Sequence, residues 1–145
     1  MFVTNPIAIL GEDTAVEMLR KQGFRILERN WRLGRLEVDI IAKDRHTIVF
    51  AEVKARTSTF GNINPEEYVD ETKKQHMRIA ANAYIKMHRI DDLQPRFDIF
   101  GIVVNASEMN VVESHHLPDA FVPRARTITQ GSHLPSWRWK KRRYK

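Results

Sequence analysis

An α/β domain with a mixed central sheet is what this 145-residue chain predicts, and three observations carry that expectation. Two segments open with capping chemistry suited to helices. Two apolar runs are separated by only three polar residues, the sequence form of an antiparallel hairpin. A further apolar run follows the second helix, at a distance that allows a crossover and places that strand parallel to the one before the helix. The expected order is helix, three strands, helix, strand, strand.

The first helix is placed from about Pro6 to Gln22. Asn5 supplies a cap, Pro6 suits the first helical position and Gly23 a stop. Leu10, Met18 and Leu19 give it an apolar side. Phe24 to Trp31 reads as a strand in which Phe24, Ile26 and Leu27 carry the buried surface, and Gly34 marks the turn that follows. Leu36 to Lys43 and Thr47 to Ala55 flank Asp44-Arg45-His46. Both runs carry Val, Ile or Phe on both faces, so they are expected to be central strands covered on both sides. Asn64-Pro65-Glu66-Glu67 combines a cap, a first-position Pro and acids in the first turn, opening a helix to about His88. Val69, Lys73, Met77, Ala80, Tyr84 and Met87 form one stripe along it. Arg96 to Val104 is the next strand, and Asn110 to His116 a short edge strand.

Composition removes whole classes of chemistry. Without cysteine the chain has no disulfide, no thiolate nucleophile and no Cys-ligated metal, which makes a reducing, cytoplasmic setting the expectation. No apolar stretch is long enough for a membrane span or a secretory signal. The sequence lacks G-x-x-x-x-G-K-[ST], G-x-G-x-x-G, G-x-S-x-G and H-E-x-x-H, which argues against P-loop and serine-hydrolase chemistry. His115-His116 invites a metal reading, but neighbours on a strand point to opposite faces.

Charge is unevenly placed. Through Asp119 there are 16 Lys and Arg against 18 acids, a net charge of −2, whereas from Ala120 onward there are eight basic residues and no acid. The chain therefore divides into a body, residues 1–121, and a basic tail, residues 122–145, that cannot bury enough apolar area to offset its ordering entropy and is expected to be disordered when free. Trp137-Arg138-Trp139-Lys140-Lys141-Arg142-Arg143 ends that tail, a composition suited to polyanions, with rings able to stack on unpaired bases. Anionic phospholipid is the other partner such a segment fits.

The informative cluster is Glu37-Val38-Asp39 with Glu52-Val53-Lys54. A two-residue turn at Arg45-His46 sets Asp39 opposite Glu52, and the period of 2 places Glu52 and Lys54 on one face. Carboxylates about 5 Å apart repel by roughly 3 kcal/mol at an effective dielectric near 20. Lys54 offsets part of this, and a divalent cation at the ~2.1 Å ligand distance of Mg²⁺ would reverse it. On spacing alone, an Asp39–Lys54 or Glu52–Lys54 ion pair without metal fits equally well. Glu12 shares a helix face with Ala8, Ala15 and Leu19, and either turns toward the sheet or simply complements the helix dipole. Lys73 interrupts an apolar face and either snorkels or reaches an anion at the site.

Gly11-Glu12-x-x-Ala15, Glu37-Val38-Asp39, Phe50-Ala51-Glu52-Val53-Lys54-Ala55-Arg56, Phe60-Gly61, Lys73 and Arg96-Phe97-Asp98 occur in the order seen in uncharacterised protein family 0102, the YraN-type proteins, which this chain resembles from about Pro6 to Phe121. That family is similar to archaeal Holliday-junction resolvases of the PD-(D/E)XK nuclease superfamily. The resemblance implies a restriction-endonuclease-like core of helix, three strands, helix and strand, and a Mg²⁺-dependent phosphodiesterase site, with Mn²⁺ as substitute; the expected activity is that of an endonuclease on nucleic acid, DNA ahead of RNA, with branched or single-stranded forms as candidate substrates. It implies Asp39, Glu52 and Glu12 as metal ligands, and Lys54 as the group that positions the attacking water or stabilises the phosphorane-like charge. Lys73 and Arg56 become candidate nucleic-acid contacts beside Trp137, Arg138, Trp139, Lys140, Lys141, Arg142 and Arg143, while Arg56, Arg96 and Asp98 also match as structural positions. A non-catalytic nucleic-acid-binding protein with the same fold is the alternative. By analogy with resolvases, a homodimer is expected.

Overall fold

The computed structural model describes residues 5–57 and 69–123. Helix α1 (Pro6–Lys21) leads into strands β1 (Arg25–Leu33), β2 (Leu36–Lys43) and β3 (Thr47–Thr57). Helix α2 (Glu71–Met87) follows, then β4 (Gln94–Asn105) and β5 (Asn110–Phe121). The strands form one sheet in sequence order, β1-β2-β3-β4-β5, antiparallel throughout except for the parallel β3–β4 pair that the α2 crossover makes. This α/β order, with a helix on each face, is consistent with the restriction-endonuclease-like core expected from the sequence.

Both helix caps are chemically explicit. The Asn5 side chain accepts from the backbone N–H groups of Ile7 and Ala8. The second helix corrects the sequence expectation: Val69 and Asp70 precede it, and Asp70 accepts from the Lys73 N–H as its cap. Asn64 and Pro65 lie outside the described residues. Val69 is buried without being helical, and Met87 is 59% exposed, so the apolar stripe runs only from Met77 through Ala80 to Tyr84. The edge strand is also longer than expected, because Phe121 stacks on Phe97 with ring centroids 4.7 Å apart and draws the chain on past His116. Pro118 is tolerated there because β5 pairs on one side only.

Each face of the sheet has its own core. Ile41, Ile48, Phe50, Phe97 and Ile99 pack on the α2 side with Met77, Ala80 and Tyr84. Ile40, Ala42, Val49, Phe100 and Ile102 pack on the α1 side with Ala15, Val16 and Leu19. α1 lies unusually close to β3: a Cβ on Gly11 would stand 2.5 Å from the Ala55 Cβ, so only glycine permits this approach. The β1 alternation breaks at Asn30, whose φ of 54° is left-handed. Asn30 consequently joins Arg29 in reaching toward α1, and Trp31 returns to the α2 side against Tyr84.

Candidate functional site

The β2–β3 hairpin has the register that its turn length dictates, with Ile40 paired to Ala51 and Lys43 to Ile48. One step further along lie Asp39 and Glu52, and there the two strands stop exchanging backbone bonds. The Asp39 carboxylate takes over, its Oδ2 accepting from the Val53 N–H at 2.7 Å. A side chain thus stitches the strands together where the ladder ends, and the other Asp39 oxygen accepts no hydrogen bond from the described residues.

Glu52 is 5% exposed and on the α2 face. Two ammonium groups converge on it, Lys54 Nζ at 3.5 Å from one oxygen and Lys73 Nζ at 3.4 Å from the other. Lys54 comes from the same strand two residues on, as the strand period requires. Lys73 comes from the first turn of α2. Both lysines are partly exposed, so each pair contributes little to stability, and their positive charge remains accessible from solvent. Burial raises the Asp39 carboxyl, the charge of Glu52 raises it further, and together they outweigh the Val53 hydrogen bond, so that it titrates at about 7.

Glu12 stands beside this pair, close enough for its charge to add to the rise in Asp39. It does not join the pair in a ready-made cage: among the described residues no three acidic or histidine side chains are grouped to hold a metal. Its Oε1 instead accepts from Arg29 Nε at 3.1 Å, Arg29 Nη2 at 2.9 Å and Asn30 Nδ2 at 3.1 Å, and Arg29 Nη2 also reaches Asp13 at 2.7 Å. Strand alternation after Glu28 turns Arg29 to the α1 face, and the left-handed turn of Asn30 adds a second donor there, which no local sequence pattern announces.

Whether a Mg²⁺ ion fits can be judged from the donors. Mg²⁺ uses one or two carboxylates and keeps several waters. Asp39 and Glu52 meet that requirement: two adjacent carboxyl groups, one of them driven toward protonation by burial and by the charge of the other. Glu12 is a neighbour whose contribution depends on what holds it.

The remaining sequence candidates fall elsewhere. Arg56 is exposed near the end of β3. Asp98 is fully buried on the α1 face, where Arg96 grips both oxygens at 2.9 and 2.7 Å, His116 Nε2 lies 2.7 Å from Oδ2, and the Asp119 N–H donates to Oδ1. Burial alone would raise this carboxyl, but the hydrogen bonds from His116 and Arg96 outweigh it and hold it below the usual range. His116 also stacks on Phe100 and meets Gln22, while His115 pairs with Glu113, so the two histidines diverge. Trp137, Arg138, Trp139, Lys140, Lys141, Arg142 and Arg143 lie outside the described residues. No helix among the described residues is long and apolar enough to cross a membrane.

Comparison with known proteins places this arrangement in a family. Residues 11–102, which include Glu12, Asp39, Glu52, Lys54 and Lys73, match the model of Uncharacterised protein family UPF0102. The chain is 41% identical over 121 residues to a UPF0102 protein of Flavobacterium johnsoniae, covering 81% of this chain and 94% of the relative. It is 48% identical over 95 residues to one from Persephonella marina, covering 66% and 81%. A relative from Caldanaerobacter subterraneus is 36% identical over 115 residues, covering 79% and 93%. From the ordered acids and lysines to nearly the full length of its relatives, the chain belongs to the UPF0102 family.

Proposed function

We propose that this protein is a metal-dependent endonuclease that hydrolyses phosphodiester bonds in DNA, with branched or single-stranded forms as preferred substrates. The observation that carries the reading is the half-buried Asp39 and buried Glu52, adjacent on a diverging hairpin and flanked by two lysines. Such a pair is electrostatically awkward alone and suited to a divalent cation. When bound, Mg²⁺ or Mn²⁺ polarises a phosphate and acidifies an attacking water. Asp39 is anchored by one oxygen to Val53, which leaves its carboxyl fixed in direction. Lys54 and Lys73 lend positive charge where a phosphodiester becomes more negative. The basic tail supplies affinity for the polyanion, and a cytoplasmic homodimer is part of the same proposal.

Purified full-length protein incubated with duplex, single-stranded, flap and four-way DNA in Mn²⁺ tests this. Cleavage is expected for the wild-type chain and not for Asp39→Asn or Glu52→Gln, with DNA binding nearly unchanged. Equal cleavage by all three proteins would reject it. The pairing of Glu52 with two lysines also suits a non-catalytic nucleic-acid-binding protein, since it already neutralises that carboxylate. Calorimetry separates the two readings: the enzyme gives Mn²⁺ heats that vanish in both variants, and the binding protein gives none.

A further inference from the structure

We propose that Arg29 and Asn30 are positioning residues for the site, pinning Glu12 by a single oxygen beside Asp39 and thereby setting the affinity for a divalent cation. The proposal rests on the metal-site reading above and deepens it by naming what holds the third acid.

Several observations support it. All three recorded donors to Glu12, two from Arg29 and one from Asn30, meet at Oε1. A carboxylate held by one oxygen has its direction fixed and its second oxygen left for another task. Asn30 adopts a left-handed conformation, which asparagine tolerates better than most other residues and which here accompanies an amide turned to Glu12. Its place in the sheet matters as well. Arg29 pairs with Ile40 and Trp31 with Val38 across the β1–β2 ladder, so Asn30 lies at the level of Asp39. From β1, beside the strand that carries Asp39, the same residue reaches the helix that carries Glu12.

Charge fits the assignment as well. Arg29 is shared between Glu12 and Asp13, one guanidinium for two carboxylates, so the group keeps a net negative charge next to the Asp39–Glu52 pair. The Glu12 side chain is only 14% exposed, which confines it to this position. Carboxylates near a metal are commonly held by such hydrogen bonds, and removing the holder costs about 10- to 100-fold in metal affinity.

Mn²⁺ alone is the probe, titrated calorimetrically into the full chain. Asn30→Gly suits the left-handed backbone, removes the amide and leaves charge unaltered. Arg29→Lys retains the charge and removes the forked grip. Each is expected to weaken Mn²⁺ binding about ten-fold. In a Glu12→Gln background, Asn30→Gly should have no further effect, because its action runs through Glu12. A purely structural role would change the unfolding temperature and leave Mn²⁺ affinity alone. Wild-type affinity in both single variants, in an assay where Asp39→Asn abolishes binding, overturns this inference and leaves the site reading standing. Full losses that persist in the Glu12→Gln background overturn it too. Absence of any Asp39-dependent Mn²⁺ binding in the wild-type chain overturns the site reading and this inference with it.

Discussion

Asp39 carries two duties on one carboxyl group, closing the end of the β2–β3 ladder and facing Glu52. Their conflict has a measurable sign. Its folded-state pKa of about 7 lies above the ordinary value of 3.8, so between about pH 4 and 7 the folded chain retains a proton that the unfolded chain has released. The contribution of this group to stability is therefore greatest below about pH 4 and declines as pH rises toward 7. Asp39→Asn keeps an acceptor for Val53 and removes the charge. It is expected to stabilise the protein at pH 8 by at most a few kcal/mol and to gain nothing at pH 4. Urea unfolding at the two pH values checks this, and coincident curves at pH 8 would contradict it. The pairing of Asp39 with Glu52 was legible in the sequence because a two-residue turn leaves one register. The grip of Arg29 and Asn30 on Glu12 was not, since a positive φ at a non-glycine residue is imposed by tertiary contacts and has no local pattern to betray it.

Among the elements, α1 and the β4–β5 pair depend on contacts that admit no slack. The Gly11–Ala55 approach presses α1 against β3. Gly11→Ala would ordinarily favour a helix by about 1 kcal/mol. Here the added methyl drives the helix off the strand, and a net loss of about 1–2 kcal/mol is expected, recovered by a second change, Ala55→Gly. Thermal unfolding of the single and double variants measures both. Asp98 ties β4 to β5 and, through His116 and Gln22, to the end of α1. Asp98→Asn leaves the Arg96 guanidinium without its counter-charge and should cost about 3 kcal/mol at pH 7. Because the folded pKa of Asp98 is depressed, that difference should fade as pH falls through it, which denaturation at pH 7 and pH 3 reads directly. Element types were readable from apolar period and caps. The start of α2 was misplaced because Asn64-Pro65 and Asp70 are competing caps, and spacing cannot choose between them. The length of β5 was underestimated because Phe121 earns its strand position from Phe97, a partner distant in sequence.

For the whole molecule, charge and topology divide the labour. The sheet and its two helices bring together carboxylates from separate elements, while the excess positive charge lies almost entirely after Asp119. On the proposed reading, eight basic groups bound the log–log salt dependence of duplex DNA binding at a slope of about −7. A chain ending at Pro123 should lose most of that slope while retaining the fold. An unchanged slope would assign the contacts to the body instead.

The exit of the chain from β5 has a consequence of its own. Arg78 of α2 donates to the Val122 carbonyl, and Arg78 and Lys74 sit over the Phe121 ring. Phe121 and Val122 thus lie against the helix whose first turn carries Lys73, the lysine on Glu52. On the proposed reading, a nucleic acid caught by that leash begins its search at the doorstep rather than from bulk solvent. Loosening Arg78 would then dilute the catch without altering the blade.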